Sequence, residues 1–149
     1  MNVSEIMTKD VVTGSAQDTV DSAAALMLDK NISSLPVVDS EQKLIGIITE
    51  SDFVGKEVQI PHALASLRCL FGKLSRVSDV EQIYQEAKAM PLEKVMTKSP
   101  TTVSPEDSIT KVVDIMSSKG FKRLPVVDAG KVVGIITRKD LIKAFRKVS

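Results

Sequence analysis

Leu35-Pro36-Val37-Val38-Asp39, followed by Gly46-Ile47-Ile48-Thr49-Glu50-Ser51-Asp52, returns later in the chain almost unchanged. The second copy reads Leu124-Pro125-Val126-Val127-Asp128, then Gly134-Ile135-Ile136-Thr137-Arg138-Lys139-Asp140. A Met-Thr-Lys triplet precedes each copy, at Met7-Thr8-Lys9 and Met96-Thr97-Lys98. The copies are offset by 89 positions up to Asp39 and Asp128 and by 88 from Gly46 and Gly134 onward, so the second lacks one residue between them. A unit of roughly 50 residues used twice signals a repeat architecture, whose units complete each other's cores.

Within each copy the pattern predicts strand, helix, strand, strand, helix. Val11-Val12-Thr13 is a short β-prone run, and Asp18 is a candidate N-cap. Val20, Ala23, Ala24, Met27 and Leu28 then repeat at helical spacing up to Asn31, which tolerates a left-handed cap. Leu35 to Val38 and Leu44 to Ile48 read as buried strands joined by the polar Ser40-Glu41-Gln42-Lys43, and Thr49 opens a second helix. The second copy gives Thr101-Thr102-Val103 as the short strand and Asp107 as the cap. Ile109, Val112, Val113 and Met116 form the helix face, and Gly120 is the stop. Strands at Leu124 to Val127 and Val132 to Ile136 flank a tight Ala129-Gly130 turn, and Thr137 starts a last helix with Leu141, Ile142 and Phe145 on one face. Residues 55–91 belong to neither copy. Helical patterns at His62 to Phe71 and at Asp79 to Met90 make them an elaboration of the first copy's second helix, available for dimer or partner contacts.

Composition narrows the function classes. A formal charge of +1 supplies no field to gather nucleic acid or an acidic membrane, and 3% aromatics leaves no platform for stacking bases. The apolar runs are short and broken by charges, so no membrane span is expected. The opening Met1-Asn2-Val3-Ser4-Glu5 is not a secretory signal, and the single Cys69 forms no internal disulfide; both fit a reducing, cytoplasmic setting. Cys69 and His62, seven apart on one helical pattern, lack the direct contact and third group of a nucleophile–base pair. His62 has no second ligand at metal-binding spacing, and no phosphate-binding glycine motif is present. The expectation is therefore a non-enzyme with no metal and no catalytic cofactor.

The ordered set of motifs, present in both halves, resembles the cystathionine-β-synthase (CBS) domain family, whose tandem pairs are called Bateman modules. The resemblance covers residues 3–54 and 92–145. It implies an α/β (α+β) fold of two βαββα repeats packed about a pseudo-twofold axis, with a helical insertion between them. The chain then divides into a first repeat at 1–54, the insertion at 55–91 and a second repeat at 92–149. It also implies adenine nucleotides (AMP, ADP or ATP) or S-adenosylmethionine bound in clefts between the repeats, a homodimer, and a regulated enzyme or transporter acting in trans.

Thr137 and Asp140, like Thr49 and Asp52, have the spacing of a capping box, and spacing alone favours that structural reading. The resemblance adds a ribose to the carboxylate at the helix N-terminus, where negative charge is favoured. It further implies one cleft of Thr8, Val12, Ile32, Ser33, Ile135, Thr137 and Asp140, and another of Thr97, Thr101, Phe121, Lys122, Ile47, Thr49 and Asp52. For Val12, Ile32, Ile47 and Ile135, plain core packing is an equal alternative. Lys122 and Arg123 stand where the family touches phosphates, and the first copy has Ser33-Ser34 there, so the two sites should be unequal. The function expected is a regulatory ligand-binding module; the alternative is a ligand-free dimerisation or protein-interaction module.

Overall fold

The computed structural model describes residues 1–54 and 78–148. Its elements run α1 (Val3–Ile6), β1 (Gly14–Ser15), α2 (Val20–Asp29), β2 (Ser34–Val38), β3 (Leu44–Thr49) and α3 (Ser51–Val54). They continue with α4 (Ser78–Ala87), α5 (Leu92–Val95), β4 (Thr97–Lys98), α6 (Ile109–Lys119), β5 (Arg123–Asp128), β6 (Lys131–Thr137) and α7 (Arg138–Lys147). The fold is mixed α/β; the strand–helix–strand–strand–helix order is complete in the first repeat, and in the second a single bridge at Val103 stands in place of the first strand. The pattern at His62 to Phe71, with Cys69, lies outside the described residues.

The chain forms two compact units that cross the order of the repeats. One holds residues 1–12, 41–44 and 100–149; the other holds 13–40 and 45–99. In the second unit a four-stranded sheet runs in the order β1-β2-β3-β4. β1 lies parallel to β2, and β4 lies antiparallel to β3 with Ile47 opposite Thr97. The first unit repeats this plan around the β5–β6 hairpin. Val103 bridges Val126 in parallel, and Thr8 bridges Ile135 antiparallel. Each Met-Thr-Lys triplet thus pairs with the Gly-Ile-Ile-Thr strand of the other repeat. The Thr8 N–H donates to the Ile135 carbonyl at 2.8 Å, and the Ile135 N–H returns a bond to the Thr8 carbonyl at 2.9 Å.

Packing explains the glycine in each strand. A Cβ on Gly134 would lie 2.5 Å from the Met7 sulfur and 3.1 Å from the Thr8 carbonyl oxygen, and one on Gly46 would lie 2.7 Å from Met96 Cγ. The methionine of the triplet occupies the space a side chain would need. Short helices α1 and α5, absent from the sequence-based expectation, pin each triplet: in α1 Val3 and Ile6 are buried, and in α5 Leu92 and Val95 are at most 1% exposed. Val3 and Ile6 join Val103, Val112, Met116, Leu124, Val126, Ile136 and Ala144 in one core.

Several local expectations shift. The first short strand lies at Gly14–Ser15, not at Val11–Thr13, and its counterpart is a single bridge at Val103. The N-caps are Thr19 and Ser108, one residue beyond the expected aspartates. Asp18 and Asp107 instead accept the N–H of Ser15 and Ser104, each at 2.8 Å, closing the turn before the helix. The Ser104 N–H, followed by the Lys111 ammonium, holds the Asp107 carboxyl below its ordinary value. Leu28, Val113, Ile142 and Phe145 are exposed, because Ala23 with Met27, Val112 with Met116, and Asp140 with Ala144 take the inward positions. The helix ends are as the sequence reads: Asn31 and Gly120 adopt φ of 51° and 70°. Ala129 and Gly130 both take positive φ, as a tight two-residue hairpin requires.

Gly134→Ala is expected to cost about 1–3 kcal/mol in denaturant unfolding through overpacking. Adding Met7→Ala should recover part of that loss, so the double variant falls short of the sum of the singles. Strict additivity would show that Met7 does not fill the space over Gly134.

Candidate functional site

The strand-to-helix corner at the end of β6 brings four of the singled-out residues together. Thr137 caps α7 by accepting the Asp140 N–H at 3.3 Å, and Asp140 Oδ2 accepts the Thr137 N–H at 3.0 Å, a complete capping box. The same oxygen accepts the Thr137 hydroxyl at 3.1 Å, while Oδ1 accepts the Lys143 ammonium at 3.1 Å. The Thr8 hydroxyl reaches both carboxylate oxygens at 3.4 and 3.5 Å, near the outer limit of a hydrogen bond. Asp140 is 1% exposed, so its charge is held by oriented donors in place of water. Thr8 arrives at this corner because its backbone is paired with Ile135.

The other unit builds the same corner from the other halves. Thr97 lies opposite Ile47, and Asp52 Oδ2 accepts the Thr49 N–H at 2.8 Å. The Thr49 hydroxyl pairs with Ser51 at 2.8 Å, where Thr137 instead turns toward Asp140. Backbone bonds repeat too. The Arg138 N–H donates to the Lys122 carbonyl at 3.1 Å, and the Glu50 N–H donates to the Ser33 carbonyl at 3.0 Å. The segment before the second strand of each repeat is therefore tied to the corner of that repeat.

Each expected cleft draws on both units. Of the first, Thr8, Val12, Ile135, Thr137 and Asp140 belong to one unit and Ile32 and Ser33 to the other. Of the second, Ile47, Thr49, Asp52 and Thr97 share a unit, while Thr101, Phe121 and Lys122 belong with Arg123 to the other. Ile135 is half-buried and Ile47 is buried; both point away from the face taken by Ile136 and Ile48. Arg123 sits directly across the β5–β6 ladder from Thr137, which places a guanidinium strand position beside the capped corner.

Two features escaped the sequence reading. Lys143 binds Asp140, a pairing visible only as a base three residues after the acid on one helix. The methionine–glycine packing had a signal in the doubled Met and doubled Gly, but which pairs with which is a long-range matter. Asp52 also borders an apolar cavity of about 160 Å3 walled by Val20, Ala24, Ile48, Leu92 and Val95. That is below the roughly 300–1,000 Å3 of a small-molecule site. Among the described residues, no cluster of side chains has the makings of a metal site, and no helix is long and apolar enough to cross a membrane.

The family model described as CBS domain matches this chain twice, over residues 3–58 and 92–147. A homoserine O-acetyltransferase of Methanohalobium evestigatum is 31% identical over 146 residues, which are 97% of this chain and 24% of that protein. This chain thus spans about a quarter of that relative's length, and the relative's activity is its own. Among solved structures, CBSX2 of Arabidopsis thaliana in complex with AMP superposes with a TM-score of 0.72 at 25% identity, covering 98% of this chain and 96% of that one. The CBS domain pair of protein MJ0100, in complex with 5-methylthioadenosine and S-adenosyl-L-methionine, gives a TM-score of 0.69 at 25% identity over 98% and 96%.

Asp140→Ala should lower folding stability by about 2 kcal/mol, the upper part of the capping range, because it strips the Thr137 N–H of its partner and releases Lys143. Asp140→Asn, which keeps an acceptor, should lose less. Equal denaturation midpoints for wild type and Asp140→Ala would show that the capping network carries no stability.

Proposed function

Because the chain belongs to the CBS domain family and carries the domain twice, we propose that it is a non-catalytic regulatory module that binds an adenosyl ligand and passes the signal to another chain. The observation that carries this reading is the corner at Asp140, a capped helix N-terminus with a buried carboxylate reached by a threonine from the opposite repeat, together with its counterpart, where the buried Asp52 accepts the Thr49 N–H and Thr97 is paired beside it with Ile47. A helix N-terminus with oriented hydroxyls and a carboxylate is suited to a ribose, which offers two vicinal hydroxyls as donors. AMP in CBSX2, and 5-methylthioadenosine with S-adenosyl-L-methionine in MJ0100, support the ligand class.

In this reading Asp140 and Asp52 face the ribose, with Thr137, Thr8, Thr49 and Thr97 beside them. Asp140 Oδ1 is the oxygen that changes partner: the ribose hydroxyls take the place of the Lys143 ammonium, whose side chain is 60% exposed and free to swing outward. Oδ2 keeps its bond to the Thr137 N–H, so the helix stays capped. Ile135, Ile47, Val12, Ile32 and Phe121 serve as apolar walls for the base, with Ser33 and Thr101 as polar neighbours. Lys122 and Arg123 meet phosphates, and Arg138 and Lys139 add positive charge at the same end of the second repeat. The first repeat has Ser33, Ser34, Glu50 and Ser51 at the matching places, so phosphate binding is unequal between the sites. The working form is a homodimer, and the regulated partner is an enzyme or transporter in trans.

A thermal-shift scan with AMP, ADP, ATP, NAD and S-adenosylmethionine tests the reading, since a ligand that prefers the folded state raises apparent stability by mass action. At least one adenosyl compound should raise the melting temperature; no shift with any of them would favour the ligand-free interaction module. Arg123→Ala should weaken ATP roughly tenfold, one charge-assisted contact, while leaving adenosine nearly unchanged. Equal losses for both ligands would remove Arg123 from phosphate recognition.

A further inference from the structure

The Asp140 carboxylate divides its oxygens between two kinds of partner. Oδ2 accepts the Thr137 N–H and hydroxyl, both held by the capped turn. Oδ1 accepts the Lys143 ammonium at 3.1 Å, with the Thr8 hydroxyl at 3.4 Å as its other neighbour. The aspartate is 1% exposed and the lysine side chain 60% exposed, so a fixed acceptor meets a donor that stays largely in water. Thr8, Thr137, Asp140 and Lys143 all belong to one compact unit.

That ion pair is weakly held. Lys139 and Lys147 stand four residues to either side of Lys143 on α7, where like charges oppose one another, and the Lys147 ammonium is bonded to the Glu5 carbonyl at 3.3 Å. An ion pair with an exposed partner contributes little, yet a buried carboxylate needs a donor on each oxygen. The ammonium therefore satisfies Oδ1, and a ligand hydroxyl has to displace it. The first repeat has Gly55 at the position matching Lys143, so the matching residue supplies no ammonium to Asp52. We propose that Lys143 is a built-in competitor for the ribose-binding oxygen of Asp140 and lowers the affinity of that corner for vicinal hydroxyls. This is a regulation of the adenosyl site proposed above and rests on that reading. Its effect is confined to the second repeat and to ligands that bond Oδ1.

Amide NMR titrations of wild type, Lys143→Met, Lys143→Ala and Lys143→Arg test it, each with adenosine and with dideoxyadenosine, which lacks both vicinal hydroxyls. Lys143→Met keeps the apolar stem and removes the charge, Lys143→Ala removes both, and Lys143→Arg keeps the donor. A dispersed spectrum shows that each variant is folded. Read at the Thr137 and Asp140 amides, adenosine should bind Lys143→Met and Lys143→Ala roughly threefold more tightly than wild type, the size of one partly exposed ion pair. Lys143→Arg should bind it no more tightly than wild type. Dideoxyadenosine, which leaves the ion pair in place, should bind all four alike, and the Thr49 and Asp52 amides should report the same adenosine affinity throughout. Adenosine affinity at Asp140 unchanged or weakened in Lys143→Met and Lys143→Ala would overturn the competition while leaving the adenosyl reading standing. So would an equal gain for dideoxyadenosine, or shifts confined to Thr49 and Asp52 in every sample. Adenosine that shifts neither corner in any sample would overturn the adenosyl reading, and the competition with it.

Discussion

The fold depends on an exchange of short peptides between the repeats. Thr8 pairs with Ile135 and Thr97 with Ile47, so neither Gly-Ile-Ile-Thr strand is completed by its own repeat. An uncovered strand presents unpaired N–H and C=O groups, a liability in water. Each repeat covers the other's edge, and the methionine of each triplet fills the space over the other's glycine. A single repeat would have neither the edge covered nor the glycine packed. Duplication is in this sense a structural requirement, and it accounts for the triplet and the glycine appearing together, twice.

The same exchange delivers the threonine to the aspartate. Without the pairing of Thr8 and Ile135, the hydroxyl would not stand against the Asp140 carboxylate. The carboxylate has two tasks that lie on different oxygens. Oδ2 holds the helix N-terminus through the Thr137 N–H; Oδ1 holds a surface lysine that water can replace. A corner so arranged is held firmly at the helix N-terminus and chiefly by an exposed lysine on its other oxygen. Were a ribose to bind at Asp140, as proposed, it would be coupled to the lead-in peptide of the opposite repeat, because Thr8 touches the same carboxylate.

Much of the fold is legible in short-range chemistry. The four long strands, the Ala129-Gly130 turn and the left-handed ends at Asn31 and Gly120 rest on neighbours a few residues apart, and they stand where the sequence puts them. The caps moved by one residue because Asp18 and Asp107 had a competing use, closing the preceding turn, and spacing does not rank two uses of one carboxylate. Leu28, Val113, Ile142 and Phe145 read as inward because α2, α6 and α7 carry apolar residues on more than one face, so periodicity admits two overlapping stripes. At the corner, capping was legible from Thr-x-x-Asp. The threonine from a position 132 residues earlier entered only through the family resemblance, which set Thr8 in one cleft with Thr137 and Asp140, since a pairing across that separation leaves no local trace.

The central claim is that the crossed corner is where an adenosyl ligand meets the protein. Two-dimensional amide NMR during titration with AMP tests it most directly. The account predicts that saturable shifts centre on Thr8, Ile135, Thr137 and Asp140, on the matching Thr97, Ile47, Thr49 and Asp52, or on both sets. Shifts confined to the apolar cavity lined by Val20, Ala24 and Leu92, or a spectrum unchanged at saturating AMP and S-adenosylmethionine, would contradict it.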